Sequence, residues 1–266
     1  MNLTSPSQVK AWCIANGFRP NRTLGQNFLI DLNAREAMVE AGLVGGRVLE
    51  IGPGLGVLTE AMLARGACVV AIEKDPALVA RLSDALGSPA GLSVIAGDAL
   101  EVIARPEGFG FDLATFDCLV SSLPYQAGTR ILLELVQRRM PPSMTVLVQT
   151  EVAERLVAKE GGRTRGLAGV LTQLDYDVRI VRRVSPGCFW PRPEVGSTVV
   201  RLDRHDRNAN LTEEERKFFR RLTKRAFEHR RKQLGSVFKD LIQSTARAEE
   251  LSNADWIELV KGLMKK

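Results

Sequence analysis

Two short segments carry the residues best suited to chemistry: Glu50-Ile-Gly-Pro-Gly-Leu-Gly56 and, about 70 residues downstream, Ser122-Leu-Pro-Tyr125. Glycines at 52, 54 and 56 let the backbone turn tightly and approach a ligand that a Cβ would exclude. An aromatic ring after a proline offers a stacking face to a nucleobase, worth on the order of 1–3 kcal/mol. The small polar side chain before it, with main-chain carbonyls, accepts from an exocyclic amine. Such a nitrogen is a poor nucleophile because its lone pair is delocalised into the ring. Accepting its N–H hydrogens favours pyramidal geometry and aims the lone pair at an electrophilic carbon. Orientation and electrostatics then supply most of the catalysis. The proton leaves once the nitrogen is cationic, so no strong base is needed. Order and spacing together point to methyl transfer onto a base nitrogen.

Two acids complete the set. Glu73 ends an apolar run 17 residues after Gly56, where a carboxylate accepts both hydroxyls of a ribose. Asp98 follows a third such run and is placed either to accept from an adenine amine or to cap a helix at Ala99. The glycine loop and Glu73 suit a dinucleotide as well as S-adenosylmethionine, which keeps a nicotinamide dehydrogenase in view. Tyr125 has a plainer alternative too, a Pro-Tyr turn packed in the core.

The elements that position these residues alternate. Short apolar runs at 47–51, 68–72, 92–95, 116–120 and 145–148 predict strands, with helices opening at Val57 and Pro76. A final strand pair is expected at 178–184 and 197–202, then a linker from Asp203 to Asn210. This β-α alternation predicts an α/β fold, a doubly wound, mostly parallel sheet with its ligand at the carboxyl ends of the strands. Thr212 with Glu215 makes a capping box that opens a small helical domain. The expected division is 1–203 for the sheet domain and 204–266 for the helices.

Composition bounds the rest. The 266 residues are 45% hydrophobic and 26% charged, ordinary for a soluble globular protein. The four cysteines form no CxxC pair and there are two histidines, so no metal site is expected and the cysteines serve as small apolar residues of a cytoplasmic protein. No apolar run approaches the roughly 20 residues that span a bilayer, and no membrane partner is expected. Residues 201–266 hold 17 Lys and Arg against 11 Asp and Glu, so the whole net charge of +6 lies there. Nine of the 17 residues from Arg216 to Lys232 are basic, which favours a polyanionic partner over a merely solvated helix face.

From about Arg19 to Leu234 the chain resembles the small-subunit (16S) ribosomal RNA adenine N6,N6-dimethyltransferases. The segments that carry the likeness are Leu24-Gly-Gln-Asn-Phe-Leu29, the glycine loop, Glu73-Lys-Asp75, Gly97-Asp98-Ala99 and Leu123-Pro-Tyr125, then Glu151-Val-Ala-Glu-Arg-Leu156, Phe189-Trp-Pro-Arg-Pro-Glu-Val195 with Ser197, and Phe227 to Leu234. The resemblance implies a Rossmann-like sheet and transfer of methyl groups from S-adenosylmethionine to N6 of two adjacent adenines near the 3′ end of that RNA. It implies cofactor contacts at Asn27, Leu29, Gly52, Gly54, Glu73, Asp98 and Ser122. The catalytic pocket would be Ser122, Leu123, Pro124 and Tyr125, with Phe189 as a second aromatic face. Arg220, Arg221, Lys224, Arg225, Arg230 and Arg231 would lie on ribosomal RNA, the small subunit being the partner of a monomer. Three positions depart from the family pattern: Ser122 replaces Asn, Thr150 a lysine and Arg165 a tyrosine. Ser122 leaves open a ribosome-assembly factor with weak or partial transfer, and the changes at 150 and 165 predict altered RNA contacts from those loops.

Overall fold

The computed structural model describes residues 1–43, 45–85 and 90–265. They pack as two units: Met1–Ala153 with Arg179–Asp203, and Glu154–Val178 with Arg204–Lys266.

In the first unit α1 (Pro6–Ala15) precedes β1 (Phe28–Leu29) and α2 (Leu32–Ala41). There follow β2 (Arg47–Ile51), α3 (Val57–Leu63), β3 (Cys68–Glu73), α4 (Pro76–Ala85), β4 (Leu92–Ala96) and α5 (Ala99–Ala104). Next come β5 (Cys118–Ser122), α6 (Gly128–Arg138) and β6 (Ser143–Gln149), and the chain crosses to the second unit within α7 (Thr150–Val157). It later returns through β7 (Tyr176–Val184), β8 (Phe189–Trp190) and β9 (Ser197–Arg204).

Seven strands form one sheet in the order β4-β3-β2-β5-β6-β9-β7. Pairing is parallel from β4 through β6 and antiparallel between β6 and β9. The central strands are apolar almost throughout because a parallel sheet is covered on both faces; in β2, Val48 to Ile51 are all buried. Helix α6 buries one stripe, Ile131, Leu132, Leu135 and Val136, as a surface helix over a sheet must. Strand β5 starts two residues later than its apolar run predicts. Val48 pairs with Cys118, while Phe116 stays outside the ladder with its ring edge-on to Phe111 and under the Arg47 guanidinium.

The second unit holds α8 (Leu167–Gln173), α9 (Glu213–Glu228), α10 (Leu234–Phe238) and α11 (Asn253–Met264). Its core is a separate cluster including Val170, Phe219, Leu222, Trp256 and Val260. The capping box at Thr212 and Glu215 forms as expected. Residues 154–178 group with the C-terminal segment from Arg204 onward in this unit. One cause is Arg165, 1% exposed, whose guanidinium donates to the carbonyls of Ala158 (3.1 Å) and Leu251 (3.2 Å) and to Asn253 Oδ1 (3.1 Å). Arg165 is thus an internal clamp of this unit.

Candidate active site

A cavity of about 220 Å³ opens at the carboxyl ends of β2, β3, β4 and β5 in the first unit. Each strand end delivers part of its wall: Glu50 to Gly54 from the end of β2 and the loop beyond it, Glu73 from β3, Asp98 after β4, and Ser122 to Tyr125 from the end of β5 and beyond. Asn27 and Leu29 line it from the segment around β1. Every residue expected at the cofactor and at the substrate wall therefore borders this one cavity, apart from Phe189.

The acids are held in different ways. Glu73 accepts the backbone N–H groups of Lys74 (2.8 Å) and Asp75 (2.9 Å) on one oxygen and of Gly54 (3.2 Å) on the other. Burial raises its pKa, and those three donors oppose the rise. Asp98 takes the helix-capping role and also forms an ion pair. One oxygen caps α5 by accepting the Leu100 N–H at 2.8 Å, and the other pairs with Lys74 Nζ at 2.9 Å, which lowers its pKa. Glu50 is 1% exposed and accepts the Thr59 hydroxyl at 2.6 Å. Burial, reinforced by the Glu73 charge, pushes its pKa up to about 8. Sequence reasoning did not single Glu50 out, although it is the one carboxylate inside the apolar run of β2.

The loops converge closely. Gly54 has φ 59°, and a Cβ there would stand 3.0 Å from the Phe28 ring, so the loop tolerates glycine and little else. A Cβ on Gly52 would lie 3.9 Å from Pro124 Cδ, and one on Gly25 3.5 Å from the Tyr125 nitrogen. Ser121 Oγ ties β5 to β2 by donating to the Ile51 carbonyl at 2.6 Å. The Tyr125 hydroxyl shares a 2.6 Å hydrogen bond with Ser197 Oγ, and burial raises the phenol pKa. Phe189 is placed differently from expectation. It is 3% exposed, pairs with Leu29 in the small β1-β8 sheet and packs into the core cluster. Strand pairing turns this ring inward, so it offers no open face to a base.

This donor set fits an adenosine-based sulfonium. Two carboxylates, Glu73 and Asp98, and an apolar wall including Ile72 and Leu78 suit a cation, a ribose diol and a purine in one cavity. Residues 17–261 match the family described as Ribosomal RNA adenine dimethylase. The chain belongs to that family. It is 45% identical over 208 residues to Ribosomal RNA small subunit methyltransferase A of Deinococcus radiodurans, covering 76% of this chain and 67% of the relative. The protein of the same name from Cereibacter sphaeroides is 37% identical over 268 residues, 94% of each chain. In fold the chain is similar to a dimethyladenosine transferase from Plasmodium falciparum, with a TM-score of 0.75 at 21% identity over 88% of this chain and 96% of that one.

In this member of the dimethylase family the basic run divides by burial. Arg221, Lys224, Arg225 and Arg231 are exposed; Arg220 is half-buried. Arg230 is partly engaged, donating to the Arg163 carbonyl and lying 3.5 Å from Glu249. Arg216 belongs to the interior: it is 3% exposed and grips both oxygens of Asp175 at 2.8 and 2.7 Å. Helical spacing was the available signal, since Arg216 shares the stripe of Phe219, Thr223 and Ala226, all buried. Thr150, the third departure, bonds Thr198 through its hydroxyl at 3.1 Å. Among the described residues no group of three or more His, Cys, Asp or Glu could hold a metal ion, and no helix is long and apolar enough to cross a membrane.

Proposed function

We propose that this protein transfers methyl groups from S-adenosylmethionine to N6 of two adjacent adenines near the 3′ end of small-subunit (16S) ribosomal RNA, acting as a cytoplasmic monomer during ribosome biogenesis. One observation carries the proposal: the glycine loop with its acids and the Ser122–Tyr125 wall border a single cavity in a chain of the dimethylase family. The names of its relatives support the small subunit as substrate.

When bound, the donor supplies an electrophilic methyl carbon on a cationic sulfur. Everything else falls to the chain. Glu73 accepts the ribose hydroxyls and Asp98 the adenine amine, while Asn27, Leu29, Gly52 and Gly54 shape the remaining wall. Ser122 Oγ and nearby carbonyls accept the N6 hydrogens of the target base, and Leu123 and Pro124 hold it flat. Tyr125 stacks on the base with its ring fixed through Ser197. Its raised pKa keeps the phenol protonated, so Tyr125 orients and does not abstract a proton. The N6 proton passes to water after transfer. Arg220, Arg221, Lys224, Arg225, Arg230 and Arg231 meet RNA phosphates, which fix position while the pocket selects the base.

Replacing the ring tests this. Tyr125→Ala should lower kcat/KM toward small subunits by about tenfold to a hundredfold, with the Kd for S-adenosylmethionine within about twofold of wild type. Tyr125→Phe keeps the stacking face and should lose less than about tenfold. Equal losses of donor binding and transfer would remove Tyr125 from the substrate wall.

A further inference from the structure

Leu3 lines the same cavity as Glu73 and Asp98 and is 4% exposed, although the family match begins only at residue 17. Local hydrogen bonds hold it in place. The Ser5 N–H donates to the Asn2 carbonyl at 3.1 Å, and Asn2 Oδ1 accepts the Thr4 N–H at 2.9 Å and its hydroxyl at 2.7 Å. Pro6 then opens α1, whose Val9 and Cys13 are buried one turn apart.

Helix α1 is tied to two elements that contribute to the cavity lining, α4 and β1. The Arg81 guanidinium of α4 lies over the Trp12 ring, 4.2 Å from its centroid. Trp12 meets Phe18 at 5.8 Å between centroids, and Phe18 meets Phe28 at 6.1 Å. Phe28 in turn is the ring against which Gly54 is packed. The segment ahead of the family match is thus joined to α4 and to the glycine loop alike.

We infer that Leu3 is part of the methyl-donor site, an apolar cover over the adenosine portion of the donor, a role that rests on the proposed use of S-adenosylmethionine. The purine is the one flat, weakly hydrated face such a donor has. Its amino-acid end is charged and would lose hydration against a leucine. Leu3 shares its cavity with Ile72 and Leu78, which complete an apolar surface for that ring. Contact with a part of the donor remote from the reacting carbon is uniform binding, so Leu3 sets affinity and leaves the chemical step alone.

The test is equilibrium binding by calorimetry on the full chain, with S-adenosylmethionine and with 5′-methylthioadenosine, which lacks the amino-acid end. Leu3→Ala should raise Kd for both about fivefold or more through lost apolar contact. At saturating donor, kcat should match wild type. Val39→Ala, which trims the same core cluster on α2 without bordering the cavity, controls for general loosening and should leave both Kd values unchanged. Wild-type affinity in Leu3→Ala, an equal loss in Val39→Ala, or a loss confined to S-adenosylmethionine would each overturn the assignment of Leu3. Failure of the wild-type chain to bind S-adenosylmethionine would instead overturn the proposed donor.

Discussion

Burial keeps the Glu50 carboxyl protonated up to about pH 8, against an ordinary value of 4.5. An acid with a raised folded-state pKa favours the folded chain while protonated, and that advantage drains away as pH climbs from 4.5 toward about 8. Glu50→Gln cannot ionise. The stability lost by the wild type between pH 5 and pH 8.5, at most about 5 kcal/mol for this group, should therefore be missing from the variant. Urea unfolding at the two pH values measures it, and parallel pH dependences would show that Glu50 is not held as described. At this scale the sequence displayed most of the residues that line the cavity. Glycines, Glu73, Asp98 and Ser122 to Tyr125 announce themselves by type and spacing. Glu50 did not, because a carboxylate beside three glycines looks like part of the turn until its burial is known. Phe189 misled for a related reason: its motif marks a position, while the partner strand that turns the ring inward lies 160 residues away at Leu29.

Among the elements, α9 divides its charges between the core and water, and substitutions should divide the same way. Asp175→Asn leaves the buried Arg216 cation without its counter-ion and should cost about 3–5 kcal/mol of stability. Arg221→Ala with Lys224→Ala should alter stability by less than about 0.5 kcal/mol. That double variant should nonetheless weaken RNA binding and reduce the salt slope by roughly one for each charge removed. Denaturation and salt-titrated binding on the same variants check both halves; unchanged RNA binding in the double variant would take α9 off the interface. Strands β2 and β3 were legible because unbroken apolar runs ending in glycine or acid have few other uses. The order β4-β3-β2-β5-β6-β9-β7 was not, since strand pairing is a choice among distant partners that no local pattern records. The late start of β5 has the same origin, with Phe116 drawn out of the ladder by Phe111 and Arg47.

Across the whole molecule, the family match runs through both units, from residue 17 to residue 261. The sequence's charge asymmetry is plain, because residues 1–200 are electrically neutral and the remainder is basic. It could not place residues 154–178 with the helices, an allegiance set by long-range bonds such as those of Arg165 to Leu251 and Asn253. The most direct measurement is methyl transfer from labelled S-adenosylmethionine to small subunits lacking the modification, with the product nucleosides identified and mapped. Dimethyladenosine at two adjacent positions near the 3′ end of the small-subunit RNA is the predicted result, and would show that Ser122 supports both transfers. Tight binding of subunit and donor with no methylated adenine formed would contradict the account.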